Sequence, residues 1–110
     1  MRRQREILEG LVRHLEQVCP GQVRAVILYG SRARGDARQD SDVDVLVLVR
    51  DRRRIDRDRI YEYVLDATLE NGLDISLSIY DADDFERLVA LRAPFALNVV
   101  REGETLWRAS

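Results

Sequence analysis

Two aspartates, Asp42 and Asp44, stand at the head of an apolar run, Val45-Leu46-Val47-Leu48-Val49. Ten residues separate Asp42 from Ser31, and Gly30-Ser31 itself closes another apolar run, Val23 to Tyr29. Carboxylates two residues apart suit hard divalent cations, which take oxygen ligands and share them with substrate phosphates. A Gly-Ser turn lets a phosphate approach the backbone, and its N–H groups and hydroxyl are donors for phosphate oxygens. The joint reading is metal-dependent phosphoryl or nucleotidyl transfer. Two ions about 3.5–4 Å apart can stabilise the attacking and leaving oxygens together.

The elements around the motif are expected to hold it in place. Residues 23–29 read as one strand and residues 42–49 as a second. Alternation along the second puts Val43, Val45, Val47 and Val49 on one face, and Asp42, Asp44, Leu46 and Leu48 on the other. Apolar residues on both faces mark it as buried beyond its first residues. Ser31 sits where an N-cap belongs, so a short helix is predicted over 31–36. A third strand over 73–80 carries Leu73, Ile75, Leu77 and Ile79 on one face and Asp74, Ser76, Ser78 and Tyr80 on the other. Asp74 thereby becomes a third carboxylate at a strand head, placed to bind metal and to draw a proton from an acceptor hydroxyl. Ser31, with Gly30, is assigned to the leaving phosphates, and Arg32 or Arg34 adds charge against a triphosphate.

Helices are predicted over 3–18, where apolar residues from Ile7 to Cys19 recur at helical spacing, and over 54–70, ended by Asn71-Gly72. In the second of these, Ile55, Ile60, Tyr63, Val64, Ala67 and Leu65 are expected to face inward. Shorter helices are expected over 81–91, with Asp81 or Asp83 near the N-cap and Leu91 among the apolar positions, and after Pro94, with Phe95, Ala96, Val99 and Val100. Thr105-Leu106-Trp107 reads as a short edge strand. The arginine-rich stretch Arg50 to Arg59 reads as a solvated loop and first helical turn.

Composition narrows the chemistry. The 110 residues are enough for a single domain spanning 1–110. The net charge is −2, with 18 basic residues, all arginine, against 20 acidic ones, which gives no nucleic-acid footprint. The absence of lysine rules out a Walker-type phosphate loop. One histidine, His14, cannot build a zinc cluster, and its helical position suits a surface or boundary side chain. One cysteine, Cys19, lies on an apolar stripe and cannot form an internal disulfide, which fits a reducing compartment. No apolar segment approaches membrane-span length and no signal region follows Met1, so the expectation is a cytoplasmic protein without a membrane partner.

Gly30-Ser31, ten residues and Asp42-Val43-Asp44 resemble the GSX10DXD signature of the DNA polymerase β-type nucleotidyltransferase superfamily. Gly30-Ser31-Arg32-Ala33-Arg34-Gly35, Ser41-Asp42 and the stretch Asn98 to Trp107 are similar to the minimal nucleotidyltransferases, the MntA-like antitoxins. The resemblance implies an α/β (α+β) fold, a small mixed sheet with helices packed on one face. It implies two Mg2+ ions bound by Asp42, Asp44 and a later-strand carboxylate, for which Asp74 is the match. It also implies ATP as substrate, a HEPN-type toxin as partner, and transfer of AMP to a toxin tyrosine. Two other readings stay open. One is an antitoxin that acts by stoichiometric cover with a vestigial site, through the arginine-rich stretch and Phe95, Leu97, Leu106 and Trp107. The other is a nucleotidyltransferase for a small molecule or an RNA end.

Overall fold

The computed structural model describes residues 3–30 and 42–110. The short helix predicted over 31–36 lies outside them. The chain runs α1 (Gln4–Val18), β1 (Val23–Tyr29), β2 (Val43–Val49), a 3-10 turn (Arg52–Arg54), α2 (Arg57–Asn71), β3 (Ile75–Asp81), α3 (Ala82–Ala90), α4 (Pro94–Glu102) and β4 (Glu104–Arg108). The strands form one mixed sheet in the order β3-β2-β1-β4. β1 pairs antiparallel with both β2 and β4, and β2 pairs parallel with β3. The parallel pair needs a crossover connection, and α2 supplies it.

The α/β class and the small mixed sheet are as expected from the sequence. The helical cover is wider than expected, because helices lie on both faces. Val26 and Leu28 of β1, the four valines of β2, and Ile75 and Ile79 of β3 form one apolar layer with α1 and α2. Ala25, Ile27 and Leu46 form a smaller layer with Phe85 of α3 and Ala96 and Val99 of α4. Both follow from strand alternation. β1 departs from it once: the register shifts between Val23 and Ala25, so Val23 lies on the α1–α2 face and Ala25 on the other.

Helix boundaries are set by side chains. Asp51 accepts from the Arg53 N–H at 3.0 Å and caps the 3-10 turn. Asp56 accepts from the Arg59 N–H at 3.3 Å, so α2 begins at Arg57 rather than at 54. Gly72, at φ 67°, ends α2 in the left-handed conformation that its missing Cβ permits. Inside α2, Ile60 and Ala67 are buried and Tyr63 and Val64, with Ile55 just before the helix, pack against the same layer, but Leu65 is exposed, against expectation. Leu91 and Val100 are likewise exposed. Asp81 precedes α3 without capping it; its Oδ1 accepts the Arg52 N–H at 2.7 Å.

Cys19 is buried, and that burial pushes its thiol pKa up. His14 has a structural role, donating from Nε2 to the Arg59 carbonyl at 2.7 Å with its ring against Tyr63. No helix among the described residues is long and apolar enough to cross a membrane.

Candidate active site

The site forms where β1 ends and β2 and β3 begin. Register sets Asp44 of β2 between Tyr29 of β1 and Ser76 of β3. All three lie on the α3–α4 face. Asp42 precedes β2 by one residue, two from Asp44, and is exposed; Asp44 is half-buried. Asp74 holds the equivalent place before β3, and its carbonyl accepts the Val43 N–H at 2.9 Å. The parallel ladder thus brings Asp42 and Asp74 to the same end of the sheet.

Gly30 turns the chain out of β1 at φ 80°, a conformation that side chains rarely adopt. A Cβ added there would overlap Asp44 Oδ2 and lie 3.2 Å from its Cγ. The missing side chain of Gly30 therefore gives Asp44 its place, so the turn and the carboxylate are one structural unit. The strand before the turn is braced by aromatic rings. Tyr29 meets Phe95 of α4 edge-on at 5.6 Å between centroids, and Tyr80 stacks on Phe95 at 5.5 Å. The Tyr29 hydroxyl also lies 3.4 Å from Ser78 Oγ.

The Asp44 carboxyl has its pKa raised, first by burial and then by the negative charge of Asp42. Among the described residues no cation forms an ion pair with either carboxylate. Two like charges, one partly withdrawn from water and both offering only oxygen, fit a hard divalent ion. Asp74 stands apart from the pair: its Oδ1 lies 3.2 Å from the Thr68 hydroxyl of α2. Among the described residues no three acidic, histidine or cysteine side chains converge as a metal-binding group. The structure thus brings Gly30, Asp42 and Asp44 together and sets Asp74 at the same end with its carboxylate turned to α2. Ser31, Arg32 and Arg34 lie outside the described residues. A cavity of about 690 Å³ lies between α1 and β4 and is lined by none of the predicted site residues.

The sequence reading did not single out the aromatic brace. Its signal was present: Tyr29 and Tyr80 occupy the carboxylate face of their strands, and Phe95 follows a helix-starting proline. Phe95, Leu106 and Trp107, considered above for partner cover, are half-buried and pack against the two apolar layers.

The family described as polymerase beta, nucleotidyltransferase matches residues 13–110. A provisionally named protein adenylyltransferase of Methanocaldococcus jannaschii is 30% identical over 100 residues, which is 91% of this chain and 94% of the relative. A second, similarly named protein of that organism is 35% identical over 81 residues, covering 71% of this chain and 55% of the relative. Among solved structures, a toxin–antitoxin complex with AMP-PNP contains a similar chain, with TM-score 0.64 and 22% identity. That match covers 98% of this chain and 76% of the other. The tri-AMPylated Shewanella oneidensis HEPN toxin in complex with MNT antitoxin gives TM-score 0.59 at 20% identity, covering 97% of this chain and 74% of that one. At these identities the structural matches establish a shared fold.

Proposed function

This chain belongs to the polymerase beta nucleotidyltransferase family, and we propose that it transfers AMP from ATP to a tyrosine hydroxyl of a partner protein. The partner class we assign is a HEPN-type toxin, with this chain as its antitoxin. The observation that carries the reading is the Asp42–Asp44 pair at the head of β2, with Gly30 folded against Asp44. Support for a protein acceptor comes from relatives named as protein adenylyltransferases and from a fold shared with toxin–antitoxin complexes.

In the transfer, the acceptor oxygen forms a bond to the α-phosphorus of ATP. The bond from that phosphorus to the α–β bridging oxygen breaks, and pyrophosphate leaves. Asp42 and Asp44 would hold Mg2+, with Asp74 as a further oxygen ligand. Held there, Mg2+ would supply positive charge for the attacking and leaving oxygens. Gly30 and Ser31, with Arg32 or Arg34, would hold the triphosphate through N–H, hydroxyl and guanidinium donors. Asp74, at the same end of the sheet at the head of β3, would accept the hydroxyl proton and release it to solvent.

The test is incubation with Mg–ATP and the product of the adjacent gene, followed by intact mass measurement of that product. The expected result is a mass gain of one or more AMP groups, lost in the Asp42→Asn, Asp44→Asn double variant. No adduct, or an equal adduct from the double variant, overturns the reading.

A further inference from the structure

The outward side of α2 carries an apolar stripe left uncovered by the rest of the described fold. Tyr61, Leu65 and Leu69 follow one another at four-residue spacing and are 40%, 57% and 73% exposed. The same helix already buries Ile60 and Ala67 against the sheet, so the stripe is surplus to its own packing. Residues at that spacing form a continuous row on a helix.

A second row borders the first. Asp58, Glu62, Asp66 and Glu70 repeat at the same spacing, and all four are exposed. Among the described residues none of them forms an ion pair. Like charges four apart destabilise an isolated helix, and exposed leucines between them gain nothing from water. Together the rows complement an amphipathic helix with apolar residues bordered by arginine or lysine. Two copies of this chain pairing through antiparallel α2 helices would set acidic row against acidic row, which disfavours self-association.

The stripe also leads to the candidate site. Thr68, next to Leu69, has its hydroxyl 3.2 Å from Asp74 Oδ1, within reach of the carbonyls of Val64 and Leu73 as well. At the other end, the Tyr61 hydroxyl donates to the Leu77 carbonyl of β3 at 3.3 Å, which ties the stripe to the edge strand. A helix seated here lies along the β3 edge and ends beside the strand heads that carry the carboxylates.

We infer that this face of α2 seats the partner protein that carries the acceptor hydroxyl, through a partner helix with a basic-bordered apolar stripe. The inference rests on the AMP-transfer reading, and two measurements separate their fates. The first uses two stapled helical peptides with a leucine stripe, one bordered by lysines and one by glutamates. The lysine peptide should bind the wild-type chain, more weakly as salt rises, and about tenfold more weakly to the Leu65→Gln, Leu69→Gln variant. The glutamate peptide should not bind. Equal binding to the variant, or no binding of the lysine peptide, overturns the docking surface. The second compares AMP transfer by wild type and variant to the protein encoded by the adjacent gene, with the Mg–ATP melting shift as a control for the site. The variant should lose transfer and keep the shift. Equal transfer overturns the docking surface and leaves the activity standing. Peptide binding without transfer by the wild type leaves the docking surface standing and overturns the activity.

Discussion

On one face of the sheet, the valines of β2 lie beneath two helices of 15 residues each; on the other, Leu46 and Leu48 lie near two of 9 residues each. The long helices seal their face, and Val43, Val45, Val47 and Val49 have no exposed surface. On the other face, Asp44 is half-buried at the head of β2 and Asp42 is exposed. One strand therefore serves two purposes through alternation alone. Its odd-numbered residues secure the fold, and its even-numbered residues pass from apolar packing at Leu46 to charge at Asp44 and Asp42. The comparison predicts that substitutions on the sealed face change stability and those on the thinner face change chemistry.

The largest effect should come from the carboxylates. The Asp42→Asn, Asp44→Asn double variant should lose AMP transfer by roughly a thousandfold or more, about 4 kcal/mol of transition-state stabilisation. Its fold should survive, because amides fill the same volume without like-charge repulsion. Steady-state transfer rates and a urea melt measure the two quantities. A double variant that is inactive only because it unfolds would break the proposed division of labour.

On the sealed face, Leu11 of α1 has no exposed surface. Leu11→Ala should cost about 3 kcal/mol by urea denaturation, with KM for ATP unchanged in the protein that remains folded. A raised KM would show that the two faces are coupled.

Two glycines sharpen the contrast at the backbone. Gly72 and Gly30 both have positive φ, but an added Cβ meets nothing within 4 Å at Gly72 and overlaps the Asp44 carboxylate at Gly30. Gly72→Ala should cost about 1 kcal/mol and leave activity alone. Gly30→Ala should cost roughly 2 kcal/mol and also abolish the melting-temperature increase caused by Mg–ATP. Equal behaviour of the two variants would remove Gly30 from the site. Smaller again is Phe95→Leu, which loosens Tyr29 and Tyr80. It should cost about 1 kcal/mol of stability and reduce transfer severalfold, because Tyr29 leads directly into the Gly30 turn.

Much of this contrast can be read from residue order. Period-two alternation in β2 and β3 assigned the faces of Val43 to Val49 and Leu73 to Tyr80, and the Asn71-Gly72 stop placed the end of α2. Helices on both faces were harder to foresee. Leu46 and Leu48 signalled burial on the second face, but the sequence does not say which element provides it. Leu65 misled for a physical reason. In α2 the apolar residues point in two directions, so helical spacing alone does not distinguish Leu65 from Val64. Asp74 was placed at the correct end of its strand. Its hydrogen bond to Thr68 spans six positions and links two elements, which strand alternation does not encode.

The smallest predicted effect is a pH dependence that isolates Asp44 from the rest of the fold. Burial, then the charge of Asp42, raises the Asp44 pKa, so the folded metal-free chain keeps this proton where the unfolded chain has lost it. The native state then binds more protons, and stability falls as pH rises from the ordinary aspartate value, about 4, through the raised one. Asp51 acts in the opposite sense. The Arg53 N–H and side chain lower its pKa, so its contribution is lost below the ordinary value as pH falls. The two windows lie on opposite sides of about pH 4, and the Asp44→Asn variant removes only the upper one. With EDTA present, variant and wild type should melt together near that pH. The variant should become the more stable by a few degrees as neutrality is approached. Added Mg2+ should reverse the order by stabilising the wild type alone, because the charge that weakens the empty site is what the ion binds. A variant no more stable than wild type at neutral pH in EDTA would mean that the carboxylate pair imposes no strain on the fold. The case for a metal there would then lose its electrostatic basis.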